Sequence, residues 1–139
     1  MCAFVVFAVS AAPALAATYT VTGTADGAGS CAATTCTTLR AAVAAAGVQS
    51  GSTVKLGPGR FALGRAAGGQ LLISGPMTII GSGAATTTIA QTDGVDRVLG
   101  IDSPLAAVTL TGVTITGGSL GAGALEPGAG IYTLAPLTL

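Results

Sequence analysis

The side chains best suited by type to do chemistry are Asp93, Asp96 and Asp102 beside Arg97, the one place where acidic residues gather. Carboxylates grouped in this way can supply oxygen ligands to Ca²⁺, and a neighbouring arginine can stabilise charge near a reacting carbon. The loop lacks a dense spacing of oxygen ligands, however. A solvated turn or an Asp–Arg surface pair is the expected reading, and such a pair adds little stability. A second stretch, Gly117-Gly118-Ser119-Leu120-Gly121-Ala122-Gly123, has the look of a phosphate-cradling loop, but no helix opening with Lys-Ser or Lys-Thr follows it. It reads as a loop between repeats. Histidine and tryptophan are absent, which removes the commonest general base near neutral pH and the commonest nitrogen ligand of transition metals. Serine, threonine and tyrosine are plentiful, yet without a base none becomes an activated nucleophile. Zinc chemistry and a Ser-His-Asp triad are therefore excluded within this segment. No catalytic, metal or cofactor-binding residue is assigned, and no cofactor is expected.

The cysteines point to structure. Cys2 precedes an apolar run and is expected to leave with a signal segment, so Cys31 and Cys36 remain as a pair in a chain bound for an oxidising compartment. Their parity favours a structural disulfide closing a small loop. Four residues separate them, which matches neither the C-x-x-C redox pattern nor a zinc site.

The elements around these residues follow from composition. Half of the residues are apolar, 7% are charged and 22 are glycine, a mixture that suits glycine-punctuated β-structure better than a compact globule. Five basic and five acidic residues cancel and lie scattered. That leaves no electrostatic footprint for nucleic acid and no polybasic membrane patch. Residues 3–12 form a nearly unbroken small, apolar run, followed by Pro13-Ala14-Leu15-Ala16. This reads as a secretory signal over 1–16, too short to span a bilayer, with cleavage expected before Ala17. The mature chain is expected to carry no transmembrane span. No Lys or Arg precedes the run, a departure from the signal pattern that leaves the start codon open, at Met1 or upstream of it.

In the mature chain, Tyr19, Val21 and Gly23 alternate with Thr18, Thr20, Thr22 and Thr24, which predicts a first strand. Asp26-Gly27-Ala28-Gly29-Ser30 is turn-rich. Thr37 or Thr38 can cap a helix over 39–46 whose apolar face is Leu39, Ala42, Val43 and Ala46, with Gly47 at its end. Short strands are then expected over 53–56, 60–63, 70–74, 77–81, 86–90, 97–101, 107–111, 113–116 and 130–134. An irregular repeat of strand, corner proline and strand recurs around Pro76, Pro104 and Pro136, which stand 28 and 32 positions apart. Such a period signals a solenoid. The predicted fold is all-β: a right-handed parallel β-helix with a short N-terminal capping α-helix, truncated at its C-terminal end. Inward positions would stack Val, Ile and Leu, and outward positions would hold threonine. The domain reading is a signal peptide over 1–16, then strand, disulfide loop and capping helix over 17–51, then incomplete coils over 52–139.

Several residues carry a resemblance. Tyr19-Thr20-Val21, Asp26-Gly27, Cys36, Leu39-Arg40-Ala41-Ala42-Val43 with Ala45-Ala46, Gly51-Ser52-Thr53-Val54, Gly57-Pro58-Gly59-Arg60-Phe61-Ala62-Leu63 and Met77-Thr78-Ile79-Ile80-Gly81 resemble the N-terminal segment of bacterial CSLREA-domain surface proteins, of the pectin-lyase-like β-helix group. The likeness runs on to Gly128-Ala129-Gly130-Ile131-Tyr132 and so spans nearly all of the mature chain. One extra residue lies between Cys36 and Leu39, and Ala41 stands where the motif has glutamate, a difference expected to be structural only. The resemblance implies an exported repeat protein and leaves its activity open; the favoured reading is an exported structural or adhesive protein, secreted or at the bacterial cell surface. Its partners would be polysaccharide or cell-surface ligands, together with downstream coils of its own full-length chain. The alternative is the opening of a polysaccharide lyase or hydrolase whose catalytic coils lie beyond residue 139. On either reading the segment is expected to be a fragment that aggregates or stays partly disordered when expressed alone.

Overall fold

The computed structural model describes residues 15–121 and 128–139. Cys2 and nearly all of the signal-like run over 1–16 lie outside the described residues, as do Ala122 and Gly123 of the glycine-rich stretch.

The chain opens with β1 (Thr18–Val21), then β2 (Cys31–Ala32), β3 (Thr35–Cys36), helix α1 (Leu39–Gly47), β4 (Ser52–Leu56) and β5 (Gly59–Leu63). A single 3-10 turn (Arg65–Ala67) leads to β6 (Leu71–Ile73), β7 (Met77–Ile80), β8 (Thr87–Gln91), β9 (Leu99–Ile101), β10 (Val108–Thr111), β11 (Thr114–Thr116), β12 (Ile131–Thr133) and β13 (Leu137–Thr138). Three sheets result: a seven-stranded one in the order β13-β10-β7-β4-β1-β3-β2, and two of three strands, β11-β8-β5 and β12-β9-β6. Every pairing is parallel except β2 with β3, which is antiparallel.

Alternation within each strand produces the core. In the largest sheet Tyr19, Val54, Ile79 and Leu110 are successive register partners, and all four are buried. Phe61, Ile89 and Ile115 align in the second sheet, and Leu71, Leu99 and Ile131 in the third. Identical spacing stacks like residues at about 4.8 Å, so each apolar row is removed from water as a unit. Deletion of a buried methylene cluster from such a row leaves a cavity its neighbours cannot close.

Helix α1 forms because Thr38 holds extended backbone and its hydroxyl accepts the Ala41 amide at 3.2 Å, satisfying one orphan donor of the first turn. Its buried side is Leu39, Ala42, Val43 and Ala46, the stripe expected from the sequence. A nine-residue helix is marginal alone, so packing on β1, β4 and β6 holds it. The helix end approaches the corner after β6 so closely that a Cβ on Gly75 would lie 2.4 Å from the Gly47 carbonyl oxygen. Only glycine fits there.

The predicted class, an all-β right-handed parallel β-helix, is corrected by this arrangement. The described residues form mostly strands in mixed and parallel sheets with one short α-helix. The physical reason lies between residues 31 and 36. There the disulfide folds the chain back as an antiparallel pair, so the largest sheet is mixed, with the helix between β3 and β4. The repeat of strand, proline and strand is a feature of the later chain and does not describe the whole.

Candidate functional site

The residues with chemistry in them collect in the loops that follow β1, β5 and β8. Asp26, in the first loop, lies under α1. Its carboxylate accepts Arg40 Nε at 2.6 Å and Nη2 at 3.1 Å, the Gly64 amide at 2.6 Å and its neighbour Gly27's amide at 2.9 Å. Both side chains of this ion pair are 13% exposed. Arg40 also donates to the Gln70 carbonyl at 3.0 Å and to the Gly69 carbonyl. Burial alone pushes the Asp26 carboxyl up, but hydrogen bonds from Arg40 and from the Gly64 and Gly27 amides, with the charge of Arg40, outweigh it and hold the group below the ordinary aspartate value. Two loops and helix α1 are thus tied to one carboxylate–guanidinium pair. Sequence reasoning read Asp26 only as a turn residue and left Arg40 without a carboxylate, because the partners stand 14 positions apart on different elements.

Asp93 and Asp96 do related work one layer on. Asp93 accepts the Arg65 amide, and Asp96 accepts the Gln70 amide at 3.2 Å and the Arg97 amide at 2.8 Å. Their oxygens are occupied in pinning the preceding loop. Asp102 is at the far end of β9 from Asp96 and is exposed. The structure therefore does not bring Asp93, Asp96 and Asp102 together, and among the described residues no group of three His, Cys, Asp or Glu side chains is placed to hold a metal ion. Arg97 is turned inward: its Nε donates to the Gly128 carbonyl at 3.0 Å and its guanidinium lies 4.9 Å from the centre of the Tyr132 ring, a cation–π contact. Gly117, at the head of the glycine-rich stretch, has φ 78°, and a Cβ there would meet the Gln91 carbonyl oxygen at 2.1 Å. That glycine answers to backbone crowding rather than to a phosphate.

Cys31 and Cys36 are joined by a disulfide. It closes the β2–β3 turn and fastens it beside β1, where Thr20 and Val21 pair with Thr35 and Cys36.

The second notable surface is the outer face of the seven-stranded sheet. Thr18, Thr53, Thr78, Thr109 and Thr138 are successive register partners across β1, β4, β7, β10 and β13. Two residues along the strands a second rank runs Thr35, Thr20, Lys55, Ile80 and Thr111. All ten positions are exposed or half-buried. The alternation of β-prone residues predicts outward threonines, but the alignment into one row was not visible, since successive members of the row are separated by loops of unequal length. Scanning for the recurrent Thr-x-Thr, Thr-x-Lys and Thr-x-Ile triplets would have found it.

No protein-family model, curated protein or solved structure matches this chain. No helix among the described residues is long and apolar enough to cross a membrane.

Proposed function

We propose that this chain belongs to an exported structural or adhesive surface protein of the CSLREA kind, which contacts carbohydrate or host surfaces through its exposed sheet faces. The observation that carries the reading is the outer face of the seven-stranded sheet, ten aligned positions that are exposed or half-buried among the described residues, with a single charge at Lys55. A nearly uncharged face of that kind suits contact rather than turnover, because the hydrogen-bonded ladder fixes its shape before any partner arrives. The Cys31–Cys36 bond supports an oxidising destination, and the small-residue run over 1–16 supports export by a cleaved signal.

The test is expression of the full chain in its bacterial host, with protease shaving of intact cells, N-terminal sequencing of the exported form and binding to insoluble polysaccharides. The expected result is a shaved or secreted product that begins at Ala17 and is retained on at least one polysaccharide or on host cells. Recovery only from the cytoplasm, with residues 1–16 intact and both thiols reduced, would refute the reading.

A further inference from the structure

We infer that the threonine face binds the ordered water of an ice surface. The inference rests on the adhesive reading above for the export and display of this face, and it assigns ice to the face in place of carbohydrate or a host surface. Adjacent strands of a sheet lie about 4.8 Å apart and alternate residues of one strand about 6.6 Å apart, so the two outward ranks form a rectangular net. In the first rank the same group, a hydroxyl beside a methyl, occupies all five nodes, from Thr18 through Thr53, Thr78 and Thr109 to Thr138. Backbone hydrogen bonds fix the nodes, and branching at Cβ restricts each side chain to few rotamers.

Strand propensity explains threonine on this face but not its distribution. It favours valine, isoleucine and threonine alike, and the second rank shows that freedom, with threonine interrupted by Lys55 and Ile80. The first rank does not vary. A requirement for one chemical group at one spacing accounts for the difference.

The chemistry of the face then selects the partner. Its two ranks carry one cation, no anion and no aromatic ring, so a charged polymer finds no matching row of counter-charges and a sugar ring finds no stacking platform. What the face offers is a repeating pair of a hydrogen-bonding oxygen and a methyl that confines the water beside it. Waters held in that pattern are already arranged on a net comparable in dimensions with the rectangular prism face of hexagonal ice. Ordering a water costs entropy, and a face that has met this cost in solution binds the crystal without meeting it again. Lys55 and Ile80 are the flaws in the net, which gives the inference a gain-of-function arm.

The experiment is ice-affinity partitioning of the oxidised full chain, alongside an unrelated protein of similar size and charge. The intact protein should be enriched in slowly grown ice relative to that control and should inhibit recrystallisation. Thr78→Tyr, at the centre of the first rank, should lose the enrichment while its thermal melt overlays the parent. Thr109→Lys, at the next node, serves should Thr78→Tyr fail to fold. Lys55→Thr combined with Ile80→Thr should raise the enrichment. Absence of enrichment in the parent, or enrichment unchanged in a folded Thr78→Tyr or Thr109→Lys variant, overturns the inference. Retention on chitin or cellulose without enrichment in ice overturns it too, while leaving the adhesive reading in place. Ice enrichment by a protein found only in the cytoplasm upholds the inference and removes that reading.

Discussion

Asp26 shows how much of this fold depends on one carboxylate. It binds a side chain of α1 and an amide beyond β5 at once, so its removal leaves the Arg40 guanidinium and the Gly64 amide without their shared acceptor. Asp26→Asn should lower the free energy of unfolding by about 1–3 kcal/mol, the usual cost of stranding a hydrogen-bonded charge, as read by urea titration. Arg40→Lys should recover only part of a loss of similar size, because a point charge cannot span two carboxylate oxygens and two carbonyls as a guanidinium does. The pH dependence follows from the depressed folded-state value of Asp26. Its contribution is complete above the unfolded aspartate value of about 3.9 and is lost as the pH falls through the lower folded value. Midpoints of parent and Asp26→Asn should therefore converge on acidification from pH 5 toward pH 2, and a constant gap over that range would contradict the assignment.

At the scale of elements, α1 is held by contact and not by its own propensity. Gly75→Ala should cost about 1–3 kcal/mol, because the added methyl collides with the Gly47 carbonyl and overpacked sites relax poorly. Gly57→Ala, where nothing lies within 4 Å of the new carbon, should be far milder. Equal losses in the two variants would show that chain flexibility, not the junction, sets the effect. The helix itself was legible, since Thr38 and the Leu39, Ala42, Val43, Ala46 stripe act locally. So were most strands: β4, β7 and β10 announce themselves by alternation of inward and outward residues. Strands β2 and β3 have two residues each, too few to display a period, and their antiparallel pairing is imposed by a covalent bond whose effect on direction no pattern reveals. The row of threonines escaped notice for another reason. Register depends on where each loop delivers its strand, and that is a property of the assembled backbone.

For the whole molecule, the apolar rows make distant segments interdependent. Ile79 sits between Val54 and Leu110 with no exposed surface, and Ile79→Ala should cost about 2–5 kcal/mol. Because the row is continuous, the melt should shift as one transition by near-UV and far-UV circular dichroism alike, whereas separate transitions would mean that the layers unfold independently. The correction to the expected class belongs at this scale as well: the disulfide-bonded turn near the start adds an antiparallel pair and makes the largest sheet mixed. That turn also closes one edge of the largest sheet. Beyond β1 the sheet finishes in a rung two residues long, running the other way and locked by Cys31–Cys36, which is a poor template for another chain. Breaking the bond frees the four-residue flank of β1 for recruitment by a neighbour. Cys36→Ser, or the parent in reductant, should accordingly convert discrete particles into growing filaments, visible as rising light scattering and thioflavin fluorescence. In that sense the small covalent clasp acts as a chain terminator for polymerisation.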